Sequence, residues 1–373
     1  MKQRFIFLFE LLLLLQLFLP AAAIPINGQE PVSSLPLDYA TQFAVDRYED
    51  GYQLLRLADG QQFLLIPEGV PVPDDLPKDI IPLQQPVHSI YLAATAVMCL
   101  FDALDSLDAI RLSGTKADGW YIESAQQAMR DGRILYAGKY SEPDYELMLE
   151  NQCSLAIESQ MIGHASDVKD KLEELGIPVL VDLSSSEPHP LGRTEWIRFY
   201  GTLLDREELA DELFSEQEAY LDSVLASGDT GKSAAFFFIS SSGSVVVRRS
   251  GDYVSKMIEL AGGKYVFDAI GDPNSTTSTV TIDMESFFAE AKEADVLIYN
   301  STIAGEMNSL TELTVKNPLL TEFKAVKSGN VWCTSENMYQ DTTNLGQMIQ
   351  SLHSIFTDET GDQDQYPYFS RLK

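Results

Sequence analysis

Basic residues and cysteines are scarce in this 373-residue sequence. Lys and Arg total 26 against 56 Asp and Glu, which gives a formal net charge of −30. Proteins that bind nucleic acids or anionic membranes take much of their affinity from basic residues, so the composition argues against both partners. It favours a partner that presents exposed arginines. The three cysteines form no CxxC pair, and we expect buried thiols and no disulfide.

Sequence motifs for catalysis are missing as well. There is no GxSxG, no HExxH and no GxGxxG after a predicted strand. The residues 226–233 fit a relaxed phosphate-loop pattern, but they join a helix to a strand, which is the wrong order for that loop. Two of the four histidines, His164 and His189, follow predicted strands and could face one cleft, although no histidines are spaced as metal ligands.

Residues 1–23 are predicted to be a secretory signal peptide. Lys2 and Arg4 precede an apolar run, and three alanines supply a cleavage site at its end. An uncleaved membrane anchor is the alternative, but the run is short for a span of about 20 residues. We therefore expect an exported protein, either periplasmic or at the cell surface. No cysteine follows the leader closely, so lipid modification there is not indicated.

Residues 24–86 are predicted to form a small N-terminal unit. A Pro-rich lead-in at 24–36 precedes short apolar runs over 42–66 that are separated by Asp-Gly, the signature of hairpins. We expect a three-stranded meander there. The Pro-rich residues 67–86 are expected to be an extended connector.

The rest of the chain alternates between strand and helix patterns. This rhythm predicts an N-terminal α/β lobe over 87–204 and a C-terminal α/β lobe over 231–373, with one long helix over 205–230 between them. The predicted fold class is therefore α/β, with two lobes of mainly parallel sheets that are joined by a rigid helix and preceded by the β-meander. The elements predicted for the second lobe include strands over 245–248 and 279–282 and a helix over 309–323.

Aromatic and polar residues collect in the loops that follow predicted strands. Such loops line the ligand crevice of parallel sheets, and flat aromatics with a few donors suit a bulky, partly apolar ligand. For each aromatic residue alone, local packing is the alternative. The candidate ligand-binding residues are Trp120, Tyr140, Gln160, His189, Arg248, Tyr253 and Tyr339.

Several segments resemble the substrate-binding proteins of ABC importers for ferric siderophores, haem and vitamin B12. They include the first strand and helix start at 87–95, the Pro-Asp-x-Glu step at 143–146, the segment 187–196 and the second-lobe step at 282–287. Their order along 87–356 is the specific signal. The resemblance implies two lobes bridged by a helix, with a ligand held between them and no catalysis.

The resemblance also implies partners. The ligand would be a metal chelate with no resident cofactor, and the protein would deliver it to a permease dimer with its ATPase. Family members present one carboxylate per lobe to permease arginines, which here implies Glu285 in the second lobe. Ser166 occupies the matching first-lobe position, so Asp167 and Glu187 are the candidates there.

Two other functions remain open at this stage. A binding protein for bare zinc or manganese would need three or four converging His and carboxylate ligands, and only His164 and His189 are placed to help. A secreted α/β hydrolase would need a nucleophile, a base and an orienting acid within mutual reach.

Overall fold

The computed structural model describes residues 23–270, 277–357 and 366–373. The predicted signal peptide therefore lies outside the described residues except for Ala23. Within these ranges the chain forms an N-terminal sheet, two α/β lobes and a long helix between the lobes.

The N-terminal sheet contains the predicted meander and adds one strand at each edge. Gly51 and Gly60 turn its hairpins with φ angles of 84° and 94°, which glycine adopts without strain. The lead-in and the extended connector each contribute an edge strand, which the sequence analysis did not predict. Pro82 is tolerated in the last strand because an edge strand leaves one side unpaired. The strands, in spatial order, are β1 (Ser33–Ser34), β2 (Phe43–Arg47), β3 (Gln53–Leu57), β4 (Gln62–Ile66) and β5 (Ile81–Gln84), with only the β4–β5 pair parallel.

Both faces of this sheet are buried. On one face, the ring centroid of Phe43 lies 5.0 Å from that of Trp196 and 5.3 Å from that of Phe199, so this face joins the main core. The other face forms a separate apolar cluster that includes Leu54, Leu64 and Ile80. A sheet buried on both faces is an integral part of the molecule.

The first lobe is a parallel sheet surrounded by helices. Its five strands lie in the spatial order 179–182, 155–159, 90–92, 110–113 and 135–136. The alternation of strands and helices that the sequence predicts for this lobe is confirmed. Its strands are β6 (Ile90–Leu92), β7 (Ile110–Ser113), β8 (Leu135–Tyr136), the small hairpin β9 (Gly138–Lys139) and β10 (Glu142–Pro143), β11 (Leu155–Ser159) and β12 (Val179–Asp182). Its helices are α1 (Met98–Ala103), α2 (Glu123–Arg130), α3 (Tyr145–Glu150), α4 (Ser166–Glu174) and α5 (Pro190–Leu204).

One long helix leads to the second lobe, as predicted. It is α6 (Glu207–Ser227), and its 21 residues give a length of about 30 Å at 1.5 Å per residue. It packs against α5 of the first lobe and against the helix at 345–357 of the second lobe. At the second contact Gly346 is required, because a Cβ there would lie 2.2 Å from the Gln217 carbonyl oxygen.

The second lobe is a mixed sheet, in contrast to the mainly parallel sheet expected. The hairpin turn over 240–244 makes the strand 245–248 antiparallel to the strand before it. The strands 279–282 and 369–371 also pair antiparallel with their neighbours. The expected helix over 309–323 ends early, because Pro318 follows its first segment and begins a 3-10 turn. The strands are β13 (Lys232–Ile239), β14 (Val245–Arg248), β15 (Gly263–Tyr265), β16 (Thr279–Ile282), β17 (Val296–Tyr299), β18 (Val331–Thr334) and β19 (Phe369–Arg371). The helices are α7 (Tyr253–Leu260), α8 (Met284–Ala291), α9 (Ser301–Ala304), α10 (Leu310–Lys316), α11 (Lys324–Ser328) and α12 (Leu345–Thr357).

Candidate functional site

A cleft of about 630 Å³ opens between the two lobes. The first-lobe wall consists of loops that follow strands β11 and β12 and the first turn of α5. The second-lobe wall consists of the loop after β14, the start of α7 and residues next to β15 and β16. The lining residues are Gln160, Ser185, Ser186, Glu187, Pro188 and Arg193 from the first lobe, and Arg249, Ser250, Gly251, Asp252, Tyr253, Asp268, Ala269, Ile270, Thr277 and Ser278 from the second.

Arg193 reaches across this cleft from the first lobe. Pro190 at the start of α5 fixes the first helical turn, and Arg193 follows on that turn. Its Nη2 and Nε donate hydrogen bonds to the carbonyls of Ser185 and Glu187. Its guanidinium carbon lies 3.9 Å from the ring centroid of Tyr253. The guanidinium is thus held in place by backbone oxygens and an aromatic face, which is a preorganised site for an anion.

A second arginine, Arg248, lies behind the second-lobe wall. It donates to the Tyr339 hydroxyl, and its Nη1 lies 3.5 Å from the Asp252 carboxylate. Asp252 also caps α7, since it accepts a hydrogen bond from the Val254 amide. Burial raises the pKa of the Asp252 carboxyl, and the Arg248 guanidinium opposes that rise. This network fixes the start of α7 and with it the position of Tyr253.

A third arginine, Arg249, lines the cleft itself. Its Nε lies 3.1 Å from Thr277 Oγ1, and its amide donates to the Ser278 carbonyl. Arg193 and Arg249 therefore place two cations in one cleft, although the chain has only 26 basic residues. Three acids also line the cleft. Asp252 is paired with Arg248, the Glu187 carboxylate accepts hydrogen bonds from the amides of residues 41 and 42, and the third is Asp268.

Four of the seven predicted ligand-binding residues lie in or directly behind this cleft. Gln160 and Tyr253 line it. The Gln160 Oε1 accepts hydrogen bonds from the hydroxyls of cleft-wall serines. Arg248 and Tyr339 form the layer behind Tyr253, where burial raises the pKa of the Tyr339 hydroxyl and the Arg248 guanidinium opposes that rise.

The other three predicted ligand-binding residues lie elsewhere. Trp120 is 0% exposed in the first-lobe core, with its Nε1 3.3 Å from Ser113 Oγ. Tyr140 sits at the turn of the β9–β10 hairpin and packs against the core. His189 is half-buried outside the cleft lining: its Nδ1 caps α5, and its ring stacks on Tyr39 with centroids 4.5 Å apart. Burial lowers the pKa of His189. Their assignment as cleft walls is corrected.

Two of the predicted docking acids are exposed and one is buried. Glu285 lies in the first turn of α8, and Asp167 lies in the first turn of α4. Glu187 is 1% exposed, and its carboxylate accepts hydrogen bonds from the amides of Thr41 and Gln42 and from Trp196 Nε1. Its side chain cannot reach a permease, so this assignment is wrong.

Sequence reasoning missed Arg193 and Glu146. Arg193 was part of the 187–196 segment that carries the family resemblance, and the scarcity of basic residues could have drawn attention to it. Glu146 is exposed in the first turn of α3, which Asp144 caps just as Asp283 caps α8 before Glu285. The shared Asp-x-Glu spacing was a signal for this pair.

Over the described ranges, no group of three or more His, Cys, Asp or Glu side chains could hold a metal ion. All three cysteines are buried free thiols, as expected, and burial raises the pKa of Cys99 to about 11. In the part of the chain that the structure describes, no helix is both long and apolar enough to cross a membrane.

A sequence profile described as periplasmic binding protein matches residues 103–337. The chain belongs to the periplasmic binding protein family. This confirms the resemblance noted in the sequence, and the family is one of binding proteins that act outside the cytoplasm with ABC importers. The matched region begins after the N-terminal sheet and after β6, the first strand of the first lobe.

Other proteins are similar to this chain in sequence or in fold. An uncharacterized lipoprotein of Methanocaldococcus jannaschii is 27% identical over 305 residues, which are 78% of this chain and 70% of the relative. The haem-binding protein HutB of Vibrio cholerae has a similar fold, with a TM-score of 0.58 at 18% identity over 71% of this chain and 98% of that one. The catecholate-siderophore binding protein VctP of the same organism gives 0.57 at 14% identity, over 84% of this chain and 99% of that one.

Proposed function

We propose that this protein is the extracytoplasmic solute-binding component of an ABC importer. It captures an iron complex, such as a ferric siderophore or haem, or a corrinoid between its lobes and delivers it to the membrane permease. The observation that carries the proposal is the interlobe cleft in which Arg193 lies over Tyr253 beside Arg249.

The lining of the cleft favours a hydrophilic, anionic chelate among these ligands. Two guanidinium groups face a cleft whose other walls carry hydroxyls, including those of Ser185, Ser250 and Thr277. Arginine forms strong, charge-assisted hydrogen bonds with carboxylates and phosphates. Among the lining residues that the structure describes, four carry apolar side chains and one of these is aromatic, while a haem would bury a large apolar ring. A ferric siderophore with free acidic groups therefore fits better than haem.

The alternative of bare zinc or manganese finds little support. His164 is exposed, and His189 is engaged with Tyr39 and the cap of α5. Among the described residues no other set of side chains converges as a metal site. The cargo metal would accordingly arrive with its coordination sphere already filled by the chelator. For the hydrolase alternative, membership in a family of binding proteins argues against an enzyme.

We assign permease docking to Glu285 in the second lobe and to Glu146 in the first. Both residues are exposed, both occupy the second position of a helix capped by Asp, and each helix leads into a parallel strand of its lobe, β11 or β17. Asp167 is the remaining first-lobe alternative. Exposed ion pairs are individually weak, but paired charges set orientation and encounter rate with a basic partner.

The function is tested by analysis of the purified protein. Mass spectrometry of small molecules released by denaturation, with metal analysis of the same sample, should find one organic chelator and about one metal per chain. Metal without a chelator would favour the bare-metal alternative. If the protein, exposed to extract of its own growth medium, retains neither, the proposal is wrong.

A further inference from the structure

The N-terminal sheet is tied to the first lobe by two buried glutamates. Glu195 on α5 accepts hydrogen bonds from the amides of Asp38, Tyr39 and Ala40, at 2.8, 2.8 and 2.6 Å. Glu187 accepts hydrogen bonds from the amides of the next two residues, 41 and 42, at 2.9 Å each. Two carboxylates thus bind five consecutive backbone amides of the segment 38–42.

The side chain and the backbone of Glu187 contact different parts of the molecule. Its side chain faces the segment 38–42 and also accepts a hydrogen bond from Trp196 Nε1 at 3.0 Å. Its backbone lines the ligand cleft, and its carbonyl oxygen accepts from Arg193 Nε at 3.4 Å. The N-terminal sheet is therefore connected through one residue to the guanidinium that lies across the cleft.

The fit around this connection is close. His189 stacks on Tyr39, with ring centroids 4.5 Å apart. At Gly192, one residue before Arg193, an added Cβ would lie 3.0 Å from the Tyr39 carbonyl oxygen and 3.3 Å from Glu187 Oε2. Any larger residue would push the segment 38–42 away from the first turn of α5. The position of this segment and the position of Arg193 are consequently linked.

We propose that the segment 38–42 is a positioning element of the ligand cleft, which acts through Glu187 on the wall 185–188 and on Arg193. This element connects β1 and β2 of the N-terminal sheet, which precedes the matched region 103–337. The inference rests on the proposed function only in taking the cleft as the ligand site. The mechanical link itself can be measured without any ligand.

Hydrogen–deuterium exchange of the full-length protein tests this link. The amides of Ser186 and Glu187 donate to the carbonyls of Leu183 and Ser184, so the wall carries protected amides that can report its order. The wild-type protein is compared with Glu187→Gln, whose side-chain NH₂ cannot accept the hydrogen bonds that a carboxylate oxygen accepts. Glu195→Gln is the matched control, because it removes an equivalent acceptor that does not line the cleft.

We expect Glu187→Gln to accelerate exchange about tenfold or more in peptides covering 184–193. Glu195→Gln should accelerate exchange in 38–40, whose amides it binds, but leave residues 41–42 and the wall within about twofold of wild type. Peptides covering β17 correct for any global loss of stability. If Glu187→Gln does not fold, Thr41→Val removes the 3.0 Å hydroxyl contact with Glu187, together with a hydrogen bond from Gln42 Nε2, and should give a smaller acceleration at the same peptides.

Equal exchange of the wall in wild type and in the Glu187 variant would overturn the inference. An equal acceleration by both variants would overturn it too, because the effect would then be general loosening. These outcomes are separate from the test of function: a protein that carries a chelate but fails the exchange test refutes only the inference. A protein whose wall 185–188 responds to Glu187→Gln, but that carries no chelate, refutes only the proposed function.

Discussion

The guanidinium of Arg193, from the first lobe, lies 3.9 Å from the ring centroid of Tyr253, from the second. This pair forms a contact between the two lobes at the cleft. Backbone oxygens hold Arg193 in place, and α7 holds Tyr253. A cation held in this way meets an anionic ligand without first paying the cost of ordering its side chain.

Replacement of Arg193 by lysine keeps the charge but removes the planar fork. We expect Arg193→Lys to lower affinity for the recovered ligand by about tenfold or more, since charge-assisted hydrogen bonds contribute about 1.5–3 kcal/mol. Calorimetric titration measures the change. Arg130→Lys, an exposed arginine on α2, is the matched control and should bind like wild type. If Arg193→Lys binds the ligand as tightly as the control Arg130→Lys does, Arg193 does not contact the ligand.

Trp120 packs in the first-lobe core and does not line the ligand cleft. Trp120→Phe removes buried ring area and one hydrogen bond to Ser113, so we expect the free energy of unfolding to fall by about 1–3 kcal/mol. Ligand affinity should stay within about twofold of wild type. Urea unfolding and titration of the same sample check both expectations, and a tenfold loss of affinity would return Trp120 to the binding site.

The docking assignment is tested by reversal of charge. Glu146→Arg and Glu285→Arg should each reduce transport by about tenfold or more while ligand affinity is unchanged, because each places a cation against permease arginines. Transport of the recovered ligand into cells that carry the cognate permease is the measurement. Glu150→Arg and Glu290→Arg, exposed acids further along the same helices, are matched controls. If only Asp167→Arg abolishes transport, the first-lobe contact lies on α4.

Glu158 on β11 should make stability depend on pH. Neither of its carboxyl oxygens has a hydrogen-bond partner within the described residues, and burial raises its pKa to about 8. The unfolded chain ionises this group near its ordinary pKa, so its contribution to folding is fully present below about pH 4.5 and is lost as pH rises toward 8.

The variant Glu158→Gln removes this titration. Between pH 5.5 and pH 8 we expect the unfolding free energy of the variant to rise relative to wild type by about 3 kcal/mol, since each pH unit contributes about 1.4 kcal/mol. Urea unfolding at the two pH values measures it, with Glu150→Gln as the control for an exposed acid. A difference that does not change with pH would mean that Glu158 is charged in the folded protein.

The order of elements was predictable from the sequence because it follows from local patterns. The strand bounds 245–248 and 279–282 were predicted to the residue, since β-branched runs are bounded there by turn residues. The edge strand β5 was missed because prolines mask a strand pattern. The mixed pairing in the second lobe was missed because the direction of a strand depends on its partners.

The site was less predictable, since it depends on which way side chains turn. Trp120 looked like a cleft wall because it follows a strand, yet its ring turns into the core. Glu187 looked exposed between serines and prolines, but its partner Gln42 lies 145 residues earlier in the chain. Arg193 gained its role only through contact between lobes. Contacts of this kind leave no local pattern in the sequence.

The position of the cargo metal tests the central claim most directly. Crystals of the protein with its co-purified ligand, measured at the absorption edge of the bound metal, should give one anomalous peak in the cleft between Arg193 and Arg249. Ligand atoms, and no protein side chains, should fill the metal's coordination sphere. A peak bonded directly to protein side chains, or located away from this cleft, would contradict the account.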